Sequence, residues 1–157
     1  MIKLLIMDVD GTLTDGKIYM SDNGEIMKAF SIKDGYMIAR LKDHGVTPVI
    51  LTGRTSKIVQ NRAEELKIQQ VYQGVSDKSA FLAKIMADNN VCKENVAYIG
   101  DDDNDIECMK QCGLVGCPKD ASMNVISIAD YVSSNNGGNG AVRDFIEYIY
   151  KVNGVLK

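Results

Sequence analysis

With 157 residues, 45% of them hydrophobic and 25% charged, the chain has the make-up of one ordinary globular domain, long enough to bury roughly 70% of its unfolded surface. A net charge of -3 and a pI near 5.1 exclude the basic excess with which nucleic-acid surfaces meet phosphate. The opening run MIKLLIMDVD is broken by Asp8, too brief for a membrane span and without the small-residue cleavage site of a secretory leader, so a cytoplasmic protein with no membrane partner is expected.

The four cysteines, Cys92, Cys108, Cys112 and Cys117, then read as reduced thiols. Zinc is set aside because no C-x-x-C pair exists and the only histidine, His44, lies far upstream.

In chain order, residues 3–7 predict a strand buried on both faces, which ends in Asp8 and Asp10 and turns on Gly11. Two carboxylates two apart on extended chain point the same way. A solvated acidic turn would explain them, but like charges at the end of a buried strand call for compensation, and a divalent cation supplies it. Residues 17–31, KIYMSDNGEIMKAFS, carry two apolar-rich runs around Asp22, Asn23 and Gly24, which predicts a small β-hairpin flap over that turn. A helix is expected over 36–44.

The strand over 47–51 runs into Thr52, Gly53 and Arg54 before a helix over 56–66. A hydroxyl, a glycine and free amides at a helix start suit a phosphate oxygen, and equally an ordinary cap. After a strand at 70–72, Lys78 opens a helix over 79–89, where the helix dipole does not favour a cation.

The strand over 96–99 meets Gly100 and then Asp101, Asp102, Asp103 and Asp105, which open a helix over 105–112. Acids in a first turn are good caps in their own right. A calcium loop fails, because Ile106 stands where its glycine is required and Cys112 where its bidentate glutamate belongs. Short strands follow at 114–116 and 131–132, then SSNNGGNGA over 133–141, which reads as a mobile loop. The last helix, over 141–152, places Val142, Phe145, Ile146, Ile149 and Tyr150 on one apolar stripe.

Strands alternating with helices predict an α/β, Rossmann-like, doubly wound parallel sheet with helices on both faces. The order D-x-D-G-T, T-G-R, a lysine at a helix start and G-D-D-x-N-D along such a sheet resembles the haloacid dehalogenase superfamily of aspartate-nucleophile phosphatases. With no cap domain, and with KDGYMI, LTGR, YQG, ENVAYIGDD, ADYV and GGNGAVRD, it is similar to the 3-deoxy-D-manno-octulosonate 8-phosphate phosphatases. Asn139 stands where arginine is expected in the tail motif, Asp144 replaces glutamate, and Asp103 takes a position usually apolar.

That resemblance implies a phosphatase acting on a small sugar phosphate. It makes Asp8 the nucleophile and Asp10 the general acid and base, with Mg2+ held by Asp8, Asp10 and Asp101, and Mn2+ or Co2+ as substitutes. It also implies that Thr52, Gly53 and Lys78 bind the phosphoryl group and that Asp102 and Asp105 orient the metal shell and Lys78. Lys33, Asp34, Arg54, Arg62 and Arg143 would meet the substrate or a neighbour in a homotetramer built on the hairpin. Arg62 reads as well as a charged helix face in NRAEELK. Two rival functions remain: a phosphatase for nine-carbon ulosonate 9-phosphates, and a non-catalytic oligomerisation module. Arg54 inclines the reading to the eight-carbon acid, because an acidic residue is expected there in relatives acting on nine-carbon acids.

Overall fold

The computed structural model describes residues 1–155; residues 156 and 157, the end of the expected domain, lie outside the described residues. The first strand, β1 (Leu4–Met7), is buried along its whole length. A two-stranded antiparallel hairpin follows, β2 (Tyr19–Ser21) and β3 (Gly24–Met27), which pair only with each other. The chain continues through α1 (Ile32–Ile38), β4 (Thr47–Leu51), α2 (Lys57–Glu65), β5 (Gln70–Tyr72), α3 (Lys78–Asp88) and β6 (Val96–Ile99). It ends with α4 (Ile106–Met109), β7 (Leu114–Cys117), α5 (Met123–Ile128), β8 (Tyr131–Val132) and α6 (Ala141–Val152).

The six strands of the main sheet run β5-β4-β1-β6-β7-β8, every pair parallel. Alternation along β1 sends Leu5 and Met7 to one core with Ile38 of α1, Val59 of α2 and the apolar stripe of α6. Leu4 and Ile6 face the opposite core with Leu82 of α3, Met109 of α4 and Val125 of α5. Helices therefore cover both faces, and burial at about 1.5–3 kcal/mol per large apolar side chain is what holds the layers. The chain winds from β1 to β4 and β5 on one side, then crosses to β6, β7 and β8 on the other. β1 lies at that reversal, where open α/β sheets form their ligand crevice.

Two expected helices are corrected and one is added. The helix expected over 36–44 begins a turn earlier, because Ser31 caps it by accepting the Asp34 amide at 3.3 Å. It breaks after Ile38, and a separate 3-10 turn, Leu41–His44, ends on Gly45 in the left-handed conformation. The helix expected over 105–112 starts as a 3-10 turn, Asp103–Asp105, capped by Asp102, and α4 is confined to Ile106–Met109. The six-residue α5, capped by Ser122, was not expected, since so short a segment carries no clear period.

The stretch 133–141 is a tethered loop. Ser133 donates to Asp144 at 2.7 Å, the Gly137 amide to Asp120 at 2.9 Å, the Gly138 amide to the Thr12 carbonyl at 3.0 Å and the Gly140 amide to Asp34 at 3.3 Å. Its glycines serve contact: a Cβ on Gly137 would overlap the Gly11 carbonyl. The loop thus lies directly against the first acidic turn.

Candidate active site

Asp8 follows β1 and its amide continues the ladder to the Ile99 carbonyl at 3.1 Å, so the ends of β1 and β6 are in register. Asp101 stands two residues past β6. The turn between Asp8 and Thr14 brings Gly11 so near that a Cβ there would overlap the Asp101 carboxylate, and its φ of +92° also favours glycine. Thr12 donates its hydroxyl to Asp101 at 3.2 Å. The D-G-T part of the motif therefore closes one acidic turn on the other.

Carboxylate oxygens of Asp8, Asp101 and Asp105 lie within 4.8 Å of one another. Asp105, fully buried, has both oxygens engaged: Oδ1 accepts from Tyr98 at 2.7 Å and Lys78 at 2.9 Å, and Oδ2 accepts the Asp101 and Asp102 amides at 3.1 and 3.4 Å. Lys78, at the start of α3, also reaches Asp8 Oδ1 at 2.7 Å, with its side chain 6% exposed. Burial alone would lower its ammonium's pKa, but the charges of Asp8 and Asp105 outweigh that and hold it raised.

One ammonium does not balance the acids. Burial, then the Asp105 charge, pushes Asp8 up to about 8 against the pull of Lys78, and the same two causes push Asp101 up to about 6. Hard oxygen donors converging in excess of positive charge fit a divalent cation such as Mg2+. Asp8 and Asp101 are the donors with oxygens to spare; Asp105 is committed to organising the turn and Lys78.

Thr52, buried, directly follows β4, which lies next to β1, and its amide is bonded to the Tyr72 carbonyl at 3.0 Å. Gly53 and Lys78 line one open cleft with Ser76, Asn104 and Glu107, so two of the three phosphate-binding candidates share a wall. Arg54 reaches toward Asp10 Oδ2, with Nε at 4.0 Å.

The other candidates are held by contacts of their own. Asp102 is exposed and caps the 3-10 turn through the Asp103 amide at 2.8 Å. Asp34 is 2% exposed and accepts the Gly140 and Arg143 amides at 3.3 and 2.8 Å, so its carboxylate caps α6. Arg62 is held by Glu65 at 2.8 Å and by the Ser31 carbonyl at 3.2 Å, over the Phe30 ring. Lys33 and Arg143 line a separate cleft of about 370 Å³ with Asn135 and Asn139. Asp103, the unusual acid, accepts from Ser122 at 2.6 Å and Asn124 at 2.9 Å and so fastens α5.

Sequence reasoning missed Tyr98, Thr12 as a partner of Asp101, and Lys28 with Glu25 and Ser56. For Tyr98 and Thr12 a signal existed, since each stands within an acidic motif. For Lys28 there was none: a lysine in a hairpin looks like a surface residue.

The model of the haloacid dehalogenase-like hydrolases matches residues 68–146, and the chain belongs to that class. The 3-deoxy-D-manno-octulosonate 8-phosphate phosphatase KdsC of Escherichia coli K12 is 42% identical over 155 residues, which are 99% of this chain and 82% of that protein. The cobalt-bound deoxy-D-mannose-octulosonate 8-phosphate phosphatase of Haemophilus influenzae superposes with a TM-score of 0.94 at 37% identity, covering 98% of this chain and 90% of that one. The Moraxella catarrhalis phosphatase, solved with magnesium, phosphate and KDO, has a TM-score of 0.91 at 38% identity, covering 96% and 86%. Within the class, the chain belongs to the 3-deoxy-D-manno-octulosonate 8-phosphate phosphatase family.

Proposed function

We propose that the protein is a magnesium-dependent phosphatase that hydrolyses 3-deoxy-D-manno-octulosonate 8-phosphate to the free sugar acid and inorganic phosphate. The observation that carries this reading is the convergence of Asp8, Asp101 and Asp105 on one point with Lys78 bonded to two of them. Relatives 42% and 43% identical over 99% and 94% of this chain, named for that reaction, supply the substrate.

In this reading a carboxylate oxygen of Asp8 attacks phosphorus, the bond from phosphorus to the sugar oxygen breaks, and Asp10 gives that oxygen its proton. Water then attacks the aspartyl phosphate, Asp10 takes its proton, and the bond to Asp8 breaks to release phosphate. Lys78, Thr52 and the Gly53 amide hold the phosphoryl oxygens, and Asp105 keeps Lys78 aimed at Asp8. Asp8, Asp101 and the Asp10 carbonyl would hold Mg2+, which when bound neutralises charge on the phosphoryl group.

Arg54, beside Asp10 at a position where an acidic residue is expected in relatives acting on nine-carbon acids, favours the eight-carbon acid. Four free cysteines, three of them buried, support a reducing compartment such as the cytoplasm. Met20, Ile26 and Met27 on the hairpin and Ile32 and Tyr36 on α1 are exposed apolar side chains. They support a homotetramer assembled through the flap, since such a hairpin is marginal alone; light scattering of the purified protein checks it. Phosphate release from a panel of eight- and nine-carbon sugar-acid phosphates, with and without Mg2+, tests the activity. The eight-carbon 8-phosphate should be preferred, and turnover of none of them would leave the oligomerisation module standing.

A further inference from the structure

Lys28 follows β3 in the flap, yet its side chain is only 1% exposed. Its ammonium lies 2.5 Å from Asp10 Oδ1 and 2.7 Å from Glu25 Oε1. The first contact is a hydrogen bond; the second is an ion pair without hydrogen-bond alignment. Glu25 in turn accepts from the Ser56 hydroxyl at 2.9 Å. Ser56 stands at the N-cap of α2 but makes no capping bond with its side chain, so its hydroxyl serves the flap instead.

An ammonium with so little access to water needs its charge matched. Glu25 alone would match it and would be enough to stiffen the hairpin. The structure nevertheless brings Asp10 in from the opposite turn, and among the described residues Lys28 is the only hydrogen-bond donor to the Asp10 carboxylate. Arg54, half exposed and 4.0 Å from the other oxygen, is too far to fix a rotamer. Asp10 is thus oriented from the flap.

We propose that Lys28, braced by Glu25 and Ser56, is the positioning residue for the acid–base step, fixing the rotamer from which Asp10 exchanges its proton with the sugar oxygen and then with water. This rests on the reading of Asp10 given above. The flap then contributes to the chemistry through one ammonium, as well as covering the site.

Steady-state and burst kinetics of Lys28→Met test it. On 3-deoxy-D-manno-octulosonate 8-phosphate, kcat should fall about 10- to 100-fold with KM within about threefold. With p-nitrophenyl phosphate, whose leaving group needs no proton, the variant should release a burst approaching one p-nitrophenolate per active site and then slow, as the aspartyl phosphate waits for its base. Lys28→Arg should recover part of kcat, and the double variant Lys28→Met/Glu25→Gln, which leaves no orphaned flap carboxylate, should repeat the burst with an unchanged melting temperature. A rise in KM alone, equal losses on both substrates without a burst, or wild-type kinetics would overturn the positioning role. Asp10→Asn measured alongside separates the two readings: full activity there would remove the acid–base role itself, whereas a slow Asp10→Asn beside a normal Lys28→Met removes only the part given to Lys28.

Discussion

Lys78 Nζ and Asp8 Oδ1 meet at 2.7 Å across 70 residues of chain, both side chains under a tenth exposed. The contact joins the first turn of α3 to the end of β1 and makes one ammonium the shared counter-charge of Asp8 and Asp105.

Removing that ammonium should cost stability as well as activity. Lys78→Met leaves two buried carboxylates facing each other, a loss of about 3–5 kcal/mol for a broken buried pair. Urea denaturation in Mg2+-free buffer should show it, and added Mg2+ should recover part of it, because the cation replaces some of the missing charge.

Asp8→Asn should have the opposite effect on folding. It takes one charge from a crowded group whose pKa burial and Asp105 have already raised, so without Mg2+ the variant should unfold at the same temperature as wild type or higher. Turnover should fall by at least about 10³-fold, since no carboxylate remains to attack phosphorus. Wild type should gain about 2.7 kcal/mol with Mg2+ at 100 times its Kd, and Asp8→Asn markedly less. Calorimetry with and without the metal reads both.

Asp34 gives a pH dependence of known sign. Burial raises its pKa even though the Arg143 and Gly140 amides pull it down. The folded state therefore holds a proton that the unfolded chain has lost, and the contribution is fully present below the unfolded value near 3.8 and lost as pH rises through the raised one. The stability of wild type minus that of Asp34→Asn should fall across that window. At neutral pH, Asp34→Asn should itself cost about 1–2 kcal/mol through weaker bonds to the start of α6, measurable by urea titration.

Thiol reactivity should separate one cysteine from three. Burial pushes Cys108 and Cys117 up to about 11 and Cys112 up to about 12, whereas Cys92 is exposed. Titration of the native protein with a chromogenic disulfide at pH 8 should count about one thiol quickly, and all four after denaturation.

The sheet was legible because its signal is local. Strands buried on both faces must be continuous apolar runs, and the bounds read for 47–51, 70–72 and 96–99 are those of β4, β5 and β6. The α6 stripe was legible for the same reason, at helical period. Helix starts were less so, since Ser31, Asp77 and Asp102 compete with neighbours of similar capping strength and packing chooses among them.

Residue types and spacing alone determined that two acidic turns, a T-G turn and a lysine stand at the ends of strands or the starts of helices. Only the tertiary structure decided which of these groups meet. Asp105 holds Lys78 and Asp102 caps the turn beside it; Asp34 and Arg62 face inward; the glycine-rich stretch is pinned against Thr12; and Lys28 of the flap turns out to hold Asp10. The physical reason is range: period and capping act within a few residues, whereas a charge buried by folding takes its partner from whatever part of the chain arrives beside it.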